Sequence, residues 1–175
     1  HDDSVSDNID DYAPSAARRG RVWDRLAKFV GEGRDFVVLL AHDARIGAAN
    51  DDNPPFVQFA WRDDLRLQIE TQGDHYRDAP YSAHQHRLLR QMGFAAPFEA
   101  GDEFSNWTLF REGEACEPRS AARCMIDALW WVHNVNFHPR PFASSLGVAY
   151  WHYEWRVSSS RMSLEDRLRH RSLSN

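Results

Sequence analysis

The chain has 175 residues, 42% of them hydrophobic, with seven Trp and ten Phe and a formal charge of −5. A domain near this length removes about 68–70% of its unfolded surface from water, so a sizeable core is available, and the aromatic content excludes a wholly disordered chain. The mild acidity excludes broad electrostatic binding of nucleic acid, which needs a basic patch, and no apolar run approaches the roughly 20 residues that span a bilayer.

Residues 1–14 are rich in Asp, Ser and Asn, and read as an acidic flexible arm. From Ser15 to about Gly31 the pattern turns helical. Val22, Leu26, Phe29 and Val30 form one stripe, and Gly31 and Gly33 mark its end. Phe36 to Leu40 is a continuous apolar run, expected as a buried strand, and Ala41 to Pro55 as a polar loop.

Phe56 to Glu70, FVQFAWRDDLRLQIE, organises the fold. Val57, Phe59 and Trp61 alternate with polar or small residues before Asp63-Asp64, and Leu65, Leu67 and Ile69 alternate after it. Period-2 patterning on both sides of a polar pair predicts an antiparallel hairpin with one buried face. Ser82 with Gln85 then forms a capping box for a helix carrying Leu88, Leu89 and Met92 and ending at Gly93. Asn106 to Arg111 reads as a fourth strand. Pro118 sits at the first position of another helix, with Ala122, Met125, Ile126, Leu129, Val132 and His133 on one face.

The last stretch, Gly147 to Val157, again alternates: Ala149, Trp151, Tyr153, Trp155 and Val157 fall on one side. Ser163 with Asp166 opens a short terminal helix. Its arginines are diluted by Glu165 and Asp166 and read as a solvated face, so no nucleic-acid contact is expected.

Taken in order, the FVQFAW and LRLQIE strands, the Ser82 helix closing in LLRQMGF, Pro97, and the Asn106-Trp107 strand opening resemble the TY-Chap family. These are bacterial proteins grouped with the type III secretion chaperones and the YbjN proteins. Phe56 stands where that family has Tyr, and Met92-Gly93-Phe94 where it has Leu-Gly-Trp. The resemblance covers roughly residues 16–146. It implies an α+β domain in the order helix-strand-strand-strand-helix-strand-helix, with an antiparallel β-sheet packed against α-helices in a type III secretion chaperone-like fold. It also implies a non-enzymatic, chaperone-like or adaptor module that holds a client protein on its sheet/helix surface, often as a homodimer. Three segments follow: 1–14, the acidic arm; 15–146, the chaperone-like domain; and 147–175, an aromatic segment with a short helix that the family pattern does not reach.

Chemistry-bearing motifs point away from catalysis. Cys116 and Cys124 are too few for a disulfide framework, and a reduced, cytoplasmic protein without membrane insertion is expected. No signal-peptide apolar core is expected in the acidic stretch from His1 to Pro14. An enzyme or metal protein is the competing reading, resting on His84, His86, His133 and His138. On a helix, positions i and i+2 point about 200° apart, so His84 and His86 do not chelate one ion there. Neither a zinc-helix motif nor a Cys-x-x-Cys, Walker or nucleophile-elbow pattern is present. No catalytic, cofactor-binding or metal residue is therefore assigned, and no cofactor is expected. The candidate partner-binding residues are Tyr150, Trp151, Tyr153 and Trp155, because Trp and Tyr are enriched at protein-interface hot spots. The alternative for them is a fifth strand in the core.

Overall fold

The computed structural model of the protein describes residues 15–43, 53–77, 79–135 and 151–173. The elements are α1 (Ser15–Gly31), β1 (Phe36–Asp43), β2 (Phe56–Trp61), β3 (Leu67–Thr71), α2 (Ala83–Gln91), β4 (Trp107–Arg111), α3 (Pro118–Asp127), β5 (Trp151–Val157) and α4 (Leu164–Leu173). A single π-helical turn, Ala128–Val132, prolongs α3. The five strands form one fully antiparallel sheet in the order β4-β3-β2-β1-β5. The α+β class and the predicted order of elements both hold.

Alternation decides which face is covered. Val37, Leu39 and Ala41 on β1 lie in register with Phe59 and Val57 on β2 and with Val157, Trp155 and Tyr153 on β5. Ile69 on β3 continues the row, and these residues, Tyr153 and Val157 apart, are under 9% exposed. Against them pack Val22, Leu26 and Val30 of α1, Leu89 of α2, and Ala122, Met125, Ile126 and Leu129 of α3 and its π turn. Each fully buried large apolar side chain of this layer contributes about 1.5–3 kcal/mol relative to exposure. The first strand departs from its expected character. Phe36 is 46% exposed and Val38 and Leu40 are half-buried, so among the described residues β1 is fully covered on one face only.

Helix ends follow the glycines. Gly33 takes φ +68°, with its N–H on the Val30 carbonyl at 3.0 Å and the Arg34 N–H on the Phe29 carbonyl at 3.2 Å. That pair of bonds is the Schellman ending, in which a left-handed residue satisfies the last helical carbonyls. Gly93, at φ +94°, repeats it: its own N–H reaches the Arg90 carbonyl, and that of Phe94 the Leu89 carbonyl, both at 3.0 Å. The Ser82–Gln85 capping box forms in both directions, at 3.2 and 2.8 Å.

The hairpin is corrected at its turn. Trp61 pairs with Leu67, the Leu65 N–H donates to the Arg62 carbonyl at 3.0 Å, and Leu65 sits at φ +69°. This is a three-residue loop with a left-handed third residue, not the two-residue Asp-Asp turn the alternation predicts. Leu65 thereby leaves the core row and stays half-buried in the turn. Asp64 steadies the loop by accepting from the Arg66 backbone N–H at 3.1 Å and its guanidinium at 2.8 Å. That guanidinium holds the Asp64 carboxyl below its usual range.

Strand β5 does not stand apart from the 15–146 segment. It continues the sheet beyond β1, and Trp155, 6% exposed, packs its ring edge-on to Phe29 at 5.8 Å with the Arg25 guanidinium 4.7 Å from its centroid. The acidic arm, Tyr150, His138 and most of the 41–55 loop lie outside the described residues.

Candidate functional site

The helices occupy one face of the sheet, so the other face is where β1, β2 and β5 show side chains outward. Phe36, Val38, Leu40 and His42 of β1 lie beside Ala60, Gln58 and Phe56 of β2 on one side and Arg156 and Glu154 of β5 on the other. Among the described residues no helix covers this strip. Toward β3 and β4 the same face is closed. The 94–105 loop bridges the β4 edge through Ala95 and Thr108, and stacks Phe104 edge-on to Phe110 at 5.3 Å. The Arg62 guanidinium lies 5.7 and 5.5 Å from those two ring centroids.

Between the closed and the open halves runs a depression of about 500 Å³. Leu40 and Phe56 supply its apolar surface, Tyr76 and Asn106 stand on one side, and His42 and Arg156 on the other. Its walls are fixed by the fold. Asn106 accepts from the Gly73 N–H through Oδ1 at 3.0 Å, and the Tyr76 hydroxyl donates to Ser105 Oγ at 3.1 Å. Gln72, 2% exposed, spans the rim by donating to the Asn53 and Tyr76 carbonyls, both at 3.2 Å. On the far side Glu154 lies between two basic groups, 3.4 Å from His42 Nε2 and 3.3 Å from Arg156. Glu70 sits deeper, 7% exposed, bonded to the Gln58 amide and to Thr108 Oγ1. Apolar side chains left partly open and rimmed by polar groups are the kind of surface that marks an interaction site.

Beneath the sheet, on the helix side, lies a second polar group. His133, at the end of the π turn, places Nε2 2.7 Å from Thr71 Oγ1 and 3.5 Å from the Tyr81 hydroxyl. Thr71 spends its own proton on the Phe56 carbonyl at 2.8 Å, and Arg77 approaches His133 Nδ1 at 3.2 Å. The bonding therefore puts the imidazole proton on Nε2 and leaves Nδ1 as acceptor. Burial, reinforced by the Arg77 charge, lowers the His133 pKa to about 3. Burial likewise raises that of the Tyr81 phenol. Both stay neutral at ordinary pH, and with Tyr81 donating to the Gln72 carbonyl at 2.7 Å the cluster pins the rim of the depression from below.

His84 is exposed on α2, while His86 bonds Asp74 at 2.7 Å, whose second oxygen accepts from the Trp107 indole at 2.8 Å. Among the described residues no three ligating side chains converge on a metal position. Cys116 and Cys124 are buried free thiols whose pKa burial raises. Of the aromatic candidates, Trp155 lies in the core and Tyr153 is half-buried on the same helix-facing side. Trp151 is described in its backbone alone, paired with Asp43, and Tyr150 lies outside the described residues.

The depression itself was not legible in the sequence. Its lining comes from β1, Asn53 and Pro54 with the start of β2, the 72–76 segment, Asn106 and β5, which only strand pairing brings together. One signal was present: the run from Phe36 to Asp43 puts Val37, Leu39 and Ala41 on one side and His42 among apolar residues on the other, a sign of one open face.

A family model described as "T3SS (YopN, CesT) and YbjN peptide-binding chaperone 3", TY-Chap3, matches residues 19–146. That span runs from α1 through β1–β4 to the residues following the π turn, and stops before β5. Comparison with curated proteins returns no match, and neither does comparison with solved structures.

Proposed function

The chain belongs to the TY-Chap3 family of peptide-binding chaperones, and from that premise we propose that it is a non-enzymatic module holding an extended segment of a client protein on the open face of its sheet. The observation that carries this reading is the one-sided sheet: helices seal the Val37–Leu39–Ala41 face, while Phe36, Val38, Leu40 and Phe56 remain half-buried or exposed opposite. A client segment laid across β1 and β2 covers these side chains and meets Tyr76, Asn106 and Arg156 at the rim. Apolar contact supplies affinity, and the polar rim sets orientation.

The reading takes a protein client as partner and a homodimer as working unit. Trp131, 59% exposed, is an apolar side chain available to a second copy, and sedimentation tests that assembly. A cytoplasmic location accords with two free, buried thiols. No helix among the described residues is long and apolar enough to cross a membrane.

The experiment is an array of overlapping 13-residue peptides drawn from the proteins of the source cell, probed with wild type and with Leu40→Asp. Peptides rich in apolar residues bind wild type, and the variant loses them. Undiminished binding by a folded Leu40→Asp protein would place the client elsewhere.

A further inference from the structure

The family match ends at residue 146, and among the described strands of the matched span β1 lies at the sheet edge. In this chain that edge is taken by β5, which begins at Trp151. We propose that the β1 edge, with the α1 surface beside it, is a second peptide site of the strand-accepting kind, which the chain fills with its own residues 151–157. The inference rests on the peptide-binding reading above and extends it to a different surface.

The pairing has the form of strand addition. Seven residues of β5 lie antiparallel to β1, from Val157 opposite Val37 to Trp151 opposite Asp43, and among the described strands β1 is its sole partner. In this mode backbone hydrogen bonds supply affinity and pockets for alternate side chains supply specificity. Here Tyr153, Trp155 and Val157 are the alternate side chains, opposite Ala41, Leu39 and Val37. Trp155 is the anchor: with Phe29 and Arg25 on α1 as walls and Leu39 opposite, it fills a slot built for an aromatic ring. The ligand class follows from that slot. It is an extended segment with Trp or another aromatic at the centre and apolar or tyrosyl residues two positions to either side.

The resident strand is held by a polar clasp at one end. The Ser158 N–H donates to the Phe36 carbonyl at 3.0 Å, and the Phe36 N–H returns to Ser158 Oγ at 3.1 Å. The Asp35 N–H reaches the Ser160 carbonyl at 3.2 Å, and the Met162 N–H the Gly33 carbonyl at 2.9 Å. From α4, Arg167 closes the clasp with bonds to the Gly33 carbonyl at 2.9 Å and Asp35 at 2.8 Å, its side chain 10% exposed. The guanidinium also lies 5.6 Å from the Trp61 ring centroid. A few hydrogen bonds localised around Gly33 and Asp35 thus decide whether the edge is closed to other strands.

The test uses the full chain and, as probe, a fluorescein-labelled peptide of residues 151–163. Wild type binds it weakly, because the tethered strand competes at high effective concentration. Arg167→Ala and Ser158→Ala loosen the clasp and should each bind the probe at least about tenfold more tightly, and a Trp155→Ala version of the probe should lose that gain. Independently, hydrogen exchange on wild type should show β5 amides opening at least about tenfold faster than those of β2 and β3, through local detachment. No gain in the folded variants, or β5 protection equal to that of β2 and β3, overturns the proposal. If both variants fail to fold, the wild-type exchange result decides alone. Neither readout involves Leu40, so failure here and failure of the open-face reading are seen separately.

Discussion

His133 Nε2 lies 2.7 Å from Thr71 Oγ1 and ties the end of the last core helix to the third strand across the buried layer. The contact is neutral on both sides, and the Arg77 charge next to it opposes a second proton on the ring.

Acid sensitivity follows from this contact. The folded-state pKa of His133 is depressed from its ordinary 6.5 to about 3, so between those values the unfolded chain binds a proton that the native state refuses. Its contribution is therefore fully present above about pH 6.5 and is lost as pH falls toward 3, at up to about 1.4 kcal/mol per pH unit. Urea denaturation of wild type and His133→Asn at pH 7 and pH 5 checks it: wild type should lose more stability on acidification than the variant.

Gly33 answers for two elements at once. Its φ of +68° ends α1, and a Cβ there would sit 1.8 Å from the Met162 carbonyl oxygen. Gly33→Ala should cost at least about 1–3 kcal/mol, since backbone strain adds to the clash. Denaturant midpoints of the variant and wild type measure it, and an unchanged midpoint would show that the 161–163 segment moves aside freely.

Trp155 gives a clear contrast with the surface. Truncation to alanine should cost about 3–5 kcal/mol, the range for a buried aromatic, because the ring is 6% exposed between α1 and β1. Phe36→Ala, at a position 46% exposed, should stay within about 0.5 kcal/mol of wild type. Thermal or denaturant unfolding of the two variants side by side tests the assignment of faces.

Much of the fold was legible because its signals are local. The Ser82 capping box, the glycines after α1 and α2, and the period-2 rows of Val57–Phe59 and Leu67–Ile69 each act within a few residues. The turn at 62–66 departs from the expected one because Asp63-Asp64 resembles a two-residue loop, while the left-handed residue that sets the true loop is a leucine with no sequence mark of positive φ. The alternation of Trp151–Val157 announced a strand, but which edge it joins depends on β1 having a free side and on the clasp at Gly33, both long-range facts. For the same reason Leu40, Tyr76, Asn106 and Arg156 gave no sign of sharing a surface. Their proximity exists only once all five strands are paired.

The most direct test of the central claim is a backbone NMR titration of the wild-type chain with the strongest peptide from the array. Shift changes should concentrate on Phe36, Val38 and Leu40 of β1, Phe56 to Ala60 of β2, and Tyr76 and Asn106 at the rim. Changes confined to the exposed outer surfaces of α1 and α3, with those β1 and β2 amides unmoved at saturation, would contradict the assignment of the open sheet face as the client site.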